Sequence, residues 1–90
     1  MGIVLVKIRL MPESPSVNLE EIKKEATKII EKGKGKSPRF EEDPIAFGLK
    51  AVDVYFQLPE QEPLEPIEEA LGRVKHVTST QILDMRRAIG

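Results

Sequence analysis

Two short segments of this chain carry the side chains best suited to contact another molecule. In the first, an aromatic ring stands between two small residues, in the order Ala46, Phe47 and Gly48. The second, near the C-terminus, ends in the consecutive cations Arg86 and Arg87. Aromatic and arginine side chains are enriched at protein interfaces, and a guanidinium can bind a phosphate or carboxylate through two parallel hydrogen bonds. The two segments therefore predict a docking surface rather than a catalytic pocket.

Length and charge narrow the classes of function. Ninety residues predict a single domain over residues 1–90, which can bury only about three-fifths of the surface of its unfolded chain. A formal charge of −1, from 14 Lys plus Arg against 15 Asp plus Glu, argues against nucleic acid as the direct partner. Without Cys, and with a single His, the chain shows no recognisable metal spacing, and no cofactor is predicted.

The apolar run at the N-terminus does not predict membrane insertion. Lys7 and Arg9 interrupt it, so it is too short for a signal sequence or a membrane span, and we expect a soluble cytoplasmic protein. Charged residues make up 32% of the chain and Asn and Gln are scarce, a composition that leans towards proteins adapted to heat.

Alternation of apolar and polar residues predicts four strands. The first covers residues 3–11 and should lie centrally, and the second is a polar edge strand over 39–43, after a flexible basic loop at 33–38. The third strand has the clearest period of two. Its predicted buried face consists of Val52, Val54, Phe56 and Leu58. The last strand is predicted over 77–85 and has a mixed face.

Capping residues predict two helices. Asn18 can cap the first by accepting a hydrogen bond from the amide of Glu21, and Gly33 can end it in a left-handed conformation. Its apolar face is predicted to be Leu19, Ile22, Ala26, Ile29 and Ile30. Pro66 suits the first turn of a second, shorter helix, which Gly72 weakens or ends.

The order strand, helix, strand, strand, helix, strand predicts an α+β protein of the ferredoxin-like split βαβ plan. In this βαββαβ arrangement two helices pack on one face of a four-stranded antiparallel sheet, and the other face is free. The plan hosts many functions, so particular residues must decide among them.

Four segments carry a resemblance to a known family. They are Met11 to Pro15, Asn18 to Glu21, Pro44 to Lys50, and Ser79-Thr80 running to Met85-Arg86-Arg87. In their order and spacing they resemble the elongation factor 1-beta family in its short archaeal form, over nearly the whole chain. The resemblance implies a guanine-nucleotide exchange factor without covalent chemistry of its own. It also implies a partner, elongation factor 1-alpha, the GTPase that delivers aminoacyl-tRNA to the ribosome.

The resemblance also implies roles for individual residues. In eukaryotic members a Phe in the corresponding corner fills an apolar pocket on the GTPase, and a Lys next to the C-terminal residue enters the Mg²⁺ site. Motif alignment places these roles on Phe47 and Arg87. The other expected contact residues are Ala46, Gly48 and Lys50. Arg stands here in place of Lys, with Ala88, Ile89 and Gly90 after it, so Arg86 could take the role instead.

Alternatives from other classes stay open. Phe47 could be a core aromatic, and the two arginines a solvated terminus. An RNA-binding module on this plan would expose aromatics on the central strands, where Tyr55 is the one outward candidate. A hydrolase of the acylphosphatase type would need an Arg in the loop at 12–17, which has none. A ligand-sensing regulatory domain would act as an oligomer, whereas the leading interpretation predicts a monomer when free.

Overall fold

A computed structural model describes residues 2–88, so that Ile89 and Gly90 lie outside the described residues. Its elements are β1 (Ile3–Pro12), α1 (Leu19–Lys32), β2 (Lys36–Pro44), β3 (Lys50–Pro59), α2 (Glu65–Gly72) and β4 (Val77–Ala88). The strands form one antiparallel sheet in the order β2-β3-β1-β4, with β1 in the interior as predicted. The predicted ferredoxin-like fold is confirmed.

The core lies between the two helices and one face of the sheet. Alternate residues of β1 and β3 point into it, together with one stripe from each helix. Its buried members are Val6, Ile8, Leu10, Ile22, Ala26, Ile30, Val52, Val54, Phe56, Leu58, Ile67, Leu71 and Val74. Each of the larger aliphatic side chains contributes roughly 1.5 to 3 kcal/mol on burial. The buried face predicted for the third strand and the apolar stripe predicted for the first helix are both confirmed.

Both ends of α1 differ in detail from the prediction. The Asn18 side chain accepts from the amide of Glu20, at 3.0 Å, rather than from Glu21. Gly33 has φ −85°, and the left-handed residue is Lys34, with φ 76°. Gly33 is instead demanded by packing, because a Cβ atom there would lie 2.5 Å from Cγ1 of Ile67 in α2. The absence of a side chain allows the two helices to approach each other.

Two strands are longer than predicted, because pairing with a neighbour extends them. β2 begins at Lys36, inside the predicted flexible loop, and a bulge between Lys36 and Arg39 places Ser37 at φ 55°. β4 continues past Met85 to Ala88, since the first residues of β1 supply hydrogen-bonding partners. Both C-terminal arginines therefore lie within a strand and have defined directions.

In the part of the chain that the structure describes, both helices lie on one face of the sheet and leave the second face, here called the open face, without a helix. Its residues alternate with the core residues of the same strands. They include Leu5, Lys7 and Arg9 of β1, Tyr55 and Gln57 of β3, and the residues of β2 and β4 paired beside them. Within residues 2–88, neither helix is long and apolar enough to cross a membrane.

Candidate functional site

The predicted aromatic lies at the tip of the hairpin between β2 and β3. The amide of Leu49 donates to the carbonyl of Ala46 at 3.0 Å and closes a turn whose central residues are Phe47 and Gly48. Both have positive φ, 56° and 78°, as in the type I′ turns that suit two-residue hairpins. Lys50 follows at the start of β3 and is exposed. The four residues predicted to make this contact thus share one hairpin tip.

Phe47 occupies an unfavourable position for its type. Its side chain is 97% exposed, so it is not a core aromatic. A residue with a Cβ atom in the left-handed region costs about 1 to 2 kcal/mol, and a bulky one is rare there. Neither burial nor backbone preference explains a phenylalanine here, whereas a partner that covers the ring would. Such combinations of strain and exposure occur at binding sites.

An ion network on the open face fixes the base of this hairpin. Arg9 Nε and Nη2 donate to the two carboxylate oxygens of Asp53, at 2.9 and 3.0 Å, and Nη2 also donates to Asp43. The network ties β1 to both strands of the hairpin near its turn, since Asp43 is one residue before the end of β2 and Asp53 lies in the first half of β3. Hydrogen bonding to Asp53, opposed by partial desolvation, raises the pKa of the Arg9 guanidinium above its ordinary value.

Sequence reasoning missed this network. Asp53 alternates with the core residues of β3 and so lies on its outward face, yet it is only 3% exposed. A carboxylate that is nearly buried requires a cationic partner, and Arg9 is the residue directly opposite in the β1 to β3 register. The available signal was an arginine and an aspartate at outward positions of two strands predicted to be neighbours.

The two arginines near the C-terminus point to opposite faces of the sheet, because side chains alternate along a strand. Arg86 pairs with Leu5 in the register and faces the open side, where its Nε contacts Asp84 Oδ2 at 2.9 Å. Arg87 faces the helix side, and its Nη2 lies 3.2 Å from Glu60 Oε1. The two guanidinium groups therefore do not converge on one point.

Both ion pairs can open at little cost. The Arg86 and Arg87 side chains are 74% and 69% exposed, and exposed pairs of this kind contribute only about 0 to 1 kcal/mol. Each cation is therefore available to another anion. Among residues 2–88, no group of three His, Asp or Glu side chains is placed to hold a metal ion.

The aromatic and the arginines lie at opposite ends of the sheet. The hairpin precedes Lys50, whereas Arg87 aligns through Val4 with Leu58, at the far end of β3. At about 3.4 Å per residue, the rise of an antiparallel strand, the stretch from Lys50 to Leu58 is roughly 27 Å long. A molecule that contacts both must follow the full length of the sheet, which excludes a small ligand held by both at once.

Comparison with known proteins places this architecture in one family. The sequence profile described as "EF-1 guanine nucleotide exchange domain" matches residues 5–88. Among curated proteins, the chain is 40% identical over 88 residues to "Elongation factor 1-beta" of Methanothermobacter thermautotrophicus, covering 97% of this chain and 98% of that protein. It is 36% identical over 89 residues to the protein of the same name from Methanocaldococcus jannaschii, covering 98% and 100% of the two chains.

Proposed function

This chain belongs to the EF-1 guanine nucleotide exchange domain family, and we propose that it drives GDP-for-GTP exchange on elongation factor 1-alpha by docking beside the bound nucleotide. Phe47 is the apolar anchor of the docked state, flanked by Ala46 and Gly48. Arg87 is the cation that disturbs the Mg²⁺ ion. The protein acts as one domain over residues 1–90 and carries out no covalent chemistry of its own.

Nucleotide exchange requires that the factor bind the nucleotide-free and the GDP-bound GTPase with different affinities. A GTPase holds GDP through backbone amides and a Mg²⁺ ion that neutralises the phosphates, so loss of the ion loosens the nucleotide. A factor accelerates release when it binds the nucleotide-free GTPase more tightly than the GDP-bound form, because only differential affinity shifts an equilibrium. The factor then changes the rate of exchange and leaves the ratio of bound GDP to GTP to the cellular concentrations.

The observation that carries this proposal is the conformation of Phe47. Its ring is almost fully exposed at the tip of a hairpin, and its backbone is left-handed although the residue is not glycine. The Arg9 network holds the hairpin in place, so the ring is presented by a rigid support. A ring in this position suits an apolar pocket on a protein, since an aromatic that fills a partner's pocket is a common centre of binding energy.

Arg87 supplies the second contact at the other end of the sheet. To reach an anion on the partner it must leave Glu60, an exposed pair that opens easily. Its planar guanidinium can then bind a phosphate or a metal-binding carboxylate through two hydrogen bonds, which weakens the hold on the ion. Arg86, which faces the open side, does not share that position and acts on a different part of the partner.

Stopped-flow release of a fluorescent GDP analogue from elongation factor 1-alpha tests this function. We expect the protein to accelerate release, and the acceleration to shrink as the Mg²⁺ concentration rises. Lys24→Ala, a change at an exposed position of α1, is a control that should keep full activity. If saturating protein left the release rate unchanged, the proposed function would be wrong.

A further inference from the structure

A shallow depression lies on the open face, away from the hairpin tip. Its volume is about 410 Å³, and it crosses all four strands at the end of the sheet where β4 finishes. The side chains that matter for its chemistry are Leu5, Lys7, Arg39, Tyr55, Asp84 and Arg86. Neither the Phe47 anchor nor the Arg87 cation belongs to this surface, so it is distinct from the two contacts on which the proposed exchange mechanism rests.

Charge is unevenly divided along the open face. The residues that line the depression include three cations, Lys7, Arg39 and Arg86, and one carboxylate, Asp84, which already contacts Arg86. With Glu41, which lies on the same face next to Asp53, the cations still outnumber the carboxylates around Lys7. At the hairpin end, Arg9 is the one cation of residues 2–88 that faces the same side, and the carboxylates of Asp43 and Asp53 more than balance it. A chain with a net charge of −1 thus presents a local basic surface. A basic surface attracts anionic partners and orients their approach.

The side chains favour carboxylates over nucleic-acid bases as the bound groups. Lys7 Nζ lies over the Tyr55 ring, 4.9 Å from its centroid, and so occupies the aromatic face that a stacked base would need. Among the described residues Tyr55 is moreover the one aromatic on the outward face of the strands, since Phe56, which also borders the depression, is buried in the core. Leu5 is 42% exposed and offers an aliphatic contact beside the cations. An acidic protein segment with an apolar residue matches this mixture.

The position of the depression next to Arg87 indicates which protein supplies the acidic segment. β4 is an edge strand, and Arg86 and Arg87 are neighbours on its two sides. A partner that meets Arg87 from the end of the sheet therefore also reaches Arg86 and the depression. We infer that the depression binds an acidic segment of the GTPase partner and guides its docking, an inference that rests on the proposed function and adds a third contact to it.

Charge reversal at Arg39 tests this inference. Arg39 is exposed, so Arg39→Glu should keep the fold, which thermal unfolding verifies. We expect the association rate with nucleotide-free elongation factor 1-alpha to fall about tenfold at low salt and to lose most of its salt dependence. GDP release at saturating protein should stay normal. Lys24→Glu, on the exposed side of α1, makes the same kind of change away from the depression and is the matched control.

A gain-of-function variant gives a test in the opposite direction. Asp84→Asn removes the single carboxylate of the depression with little change of shape, and its amide oxygen can still accept from the Met85 amide, as Asp84 Oδ1 does at 2.9 Å. Because Arg86 is then unpaired, the association rate should rise severalfold. If Arg39→Glu and Asp84→Asn both associate at the rate of the Lys24→Glu control, the inference is wrong.

Two further outcomes separate this inference from its alternatives. If the unaltered protein fails to accelerate GDP release at all, the proposed function fails first and this inference falls with it. If release is accelerated but a uridine oligonucleotide binds the protein, and Arg39→Glu abolishes that binding while GTPase association is unchanged, the depression is an RNA site and the acidic segment is excluded.

Discussion

Replacing Phe47 with alanine should separate docking from folding, because the ring is the proposed anchor for the partner but makes almost no contact within the folded chain. The side chain is 97% exposed, so its removal takes almost no contact from the folded state. The backbone stays left-handed, and alanine carries the same penalty there as any residue with a Cβ atom. We therefore expect the free energy of unfolding to change by less than about 0.5 kcal/mol, the range of ordinary surface substitutions.

The affinity for elongation factor 1-alpha should fall strongly in Phe47→Ala. A phenylalanine ring that moves from water into an apolar pocket contributes roughly 2 to 4 kcal/mol, which is the range measured for truncated interface anchors. At about 1.4 kcal/mol for each factor of ten, the dissociation constant should rise between about 30-fold and 700-fold. Maximal GDP release at saturating variant should change much less than the affinity does.

The assay pairs a binding titration against nucleotide-free elongation factor 1-alpha with denaturant unfolding of the free variant. Lys24→Ala controls for the loss of an exposed side chain elsewhere. Phe47→Gly adds a second comparison, because glycine accepts the positive φ and should fold at least as stably while it docks as weakly as Phe47→Ala. Unchanged affinity in Phe47→Ala, or a loss of more than about 1 kcal/mol of stability, would refute the reasoning.

Three other changes test separate parts of the structure. Arg9→Gln leaves the nearly buried Asp53 without its cation. The free energy of unfolding, measured in denaturant titrations, should fall by about 3 to 5 kcal/mol, and a loss below about 1 kcal/mol would contradict the role of the network. Arg87→Ala should dock almost normally yet release GDP slowly in stopped-flow assays, whereas normal release would discard the cation mechanism. The hydrogen bond from Lys23 lowers the pKa of Glu42 in the folded state. The unfolded state therefore binds more protons at acidic pH, and the free energy of unfolding falls as the pH drops from the ordinary Glu range through that lowered pKa. Glu42→Gln should flatten this acid-side slope in unfolding curves measured against pH, and an unchanged slope would show that other groups produce it.

Most of the fold can be predicted from local patterns of apolar and polar residues in the sequence. The period of two in β3 identifies its buried face, and the stripe of α1 is visible from its spacing alone, because each depends on neighbouring residues only. The exposed tip at Phe47 is also predictable, since Ala46 and Gly48 cannot cover the ring. These features place the elements and one of the two proposed contact points.

Features set by pairing between distant strands could not be predicted in the same way. Asp53 is buried because the register brings Arg9 opposite it, and the register is fixed by the whole sheet. The end of β4 depends on residues of β1 that lie at the other end of the chain. The opposite directions of Arg86 and Arg87 follow only once both are known to lie within that strand. The basic depression could not be predicted for the same reason, because its residues come from four strands that only the pairing of the sheet brings together.

The affinity of this protein for two states of elongation factor 1-alpha tests the central claim most directly. Titration of the GDP-bound form with Mg²⁺, and of the nucleotide-free form, gives two dissociation constants under one set of conditions. Exchange by docking beside the nucleotide predicts much tighter binding to the nucleotide-free form, by at least about 100-fold, since a smaller difference shifts the equilibrium too little. Equal affinity for the two forms would contradict the account, however tightly the proteins bind.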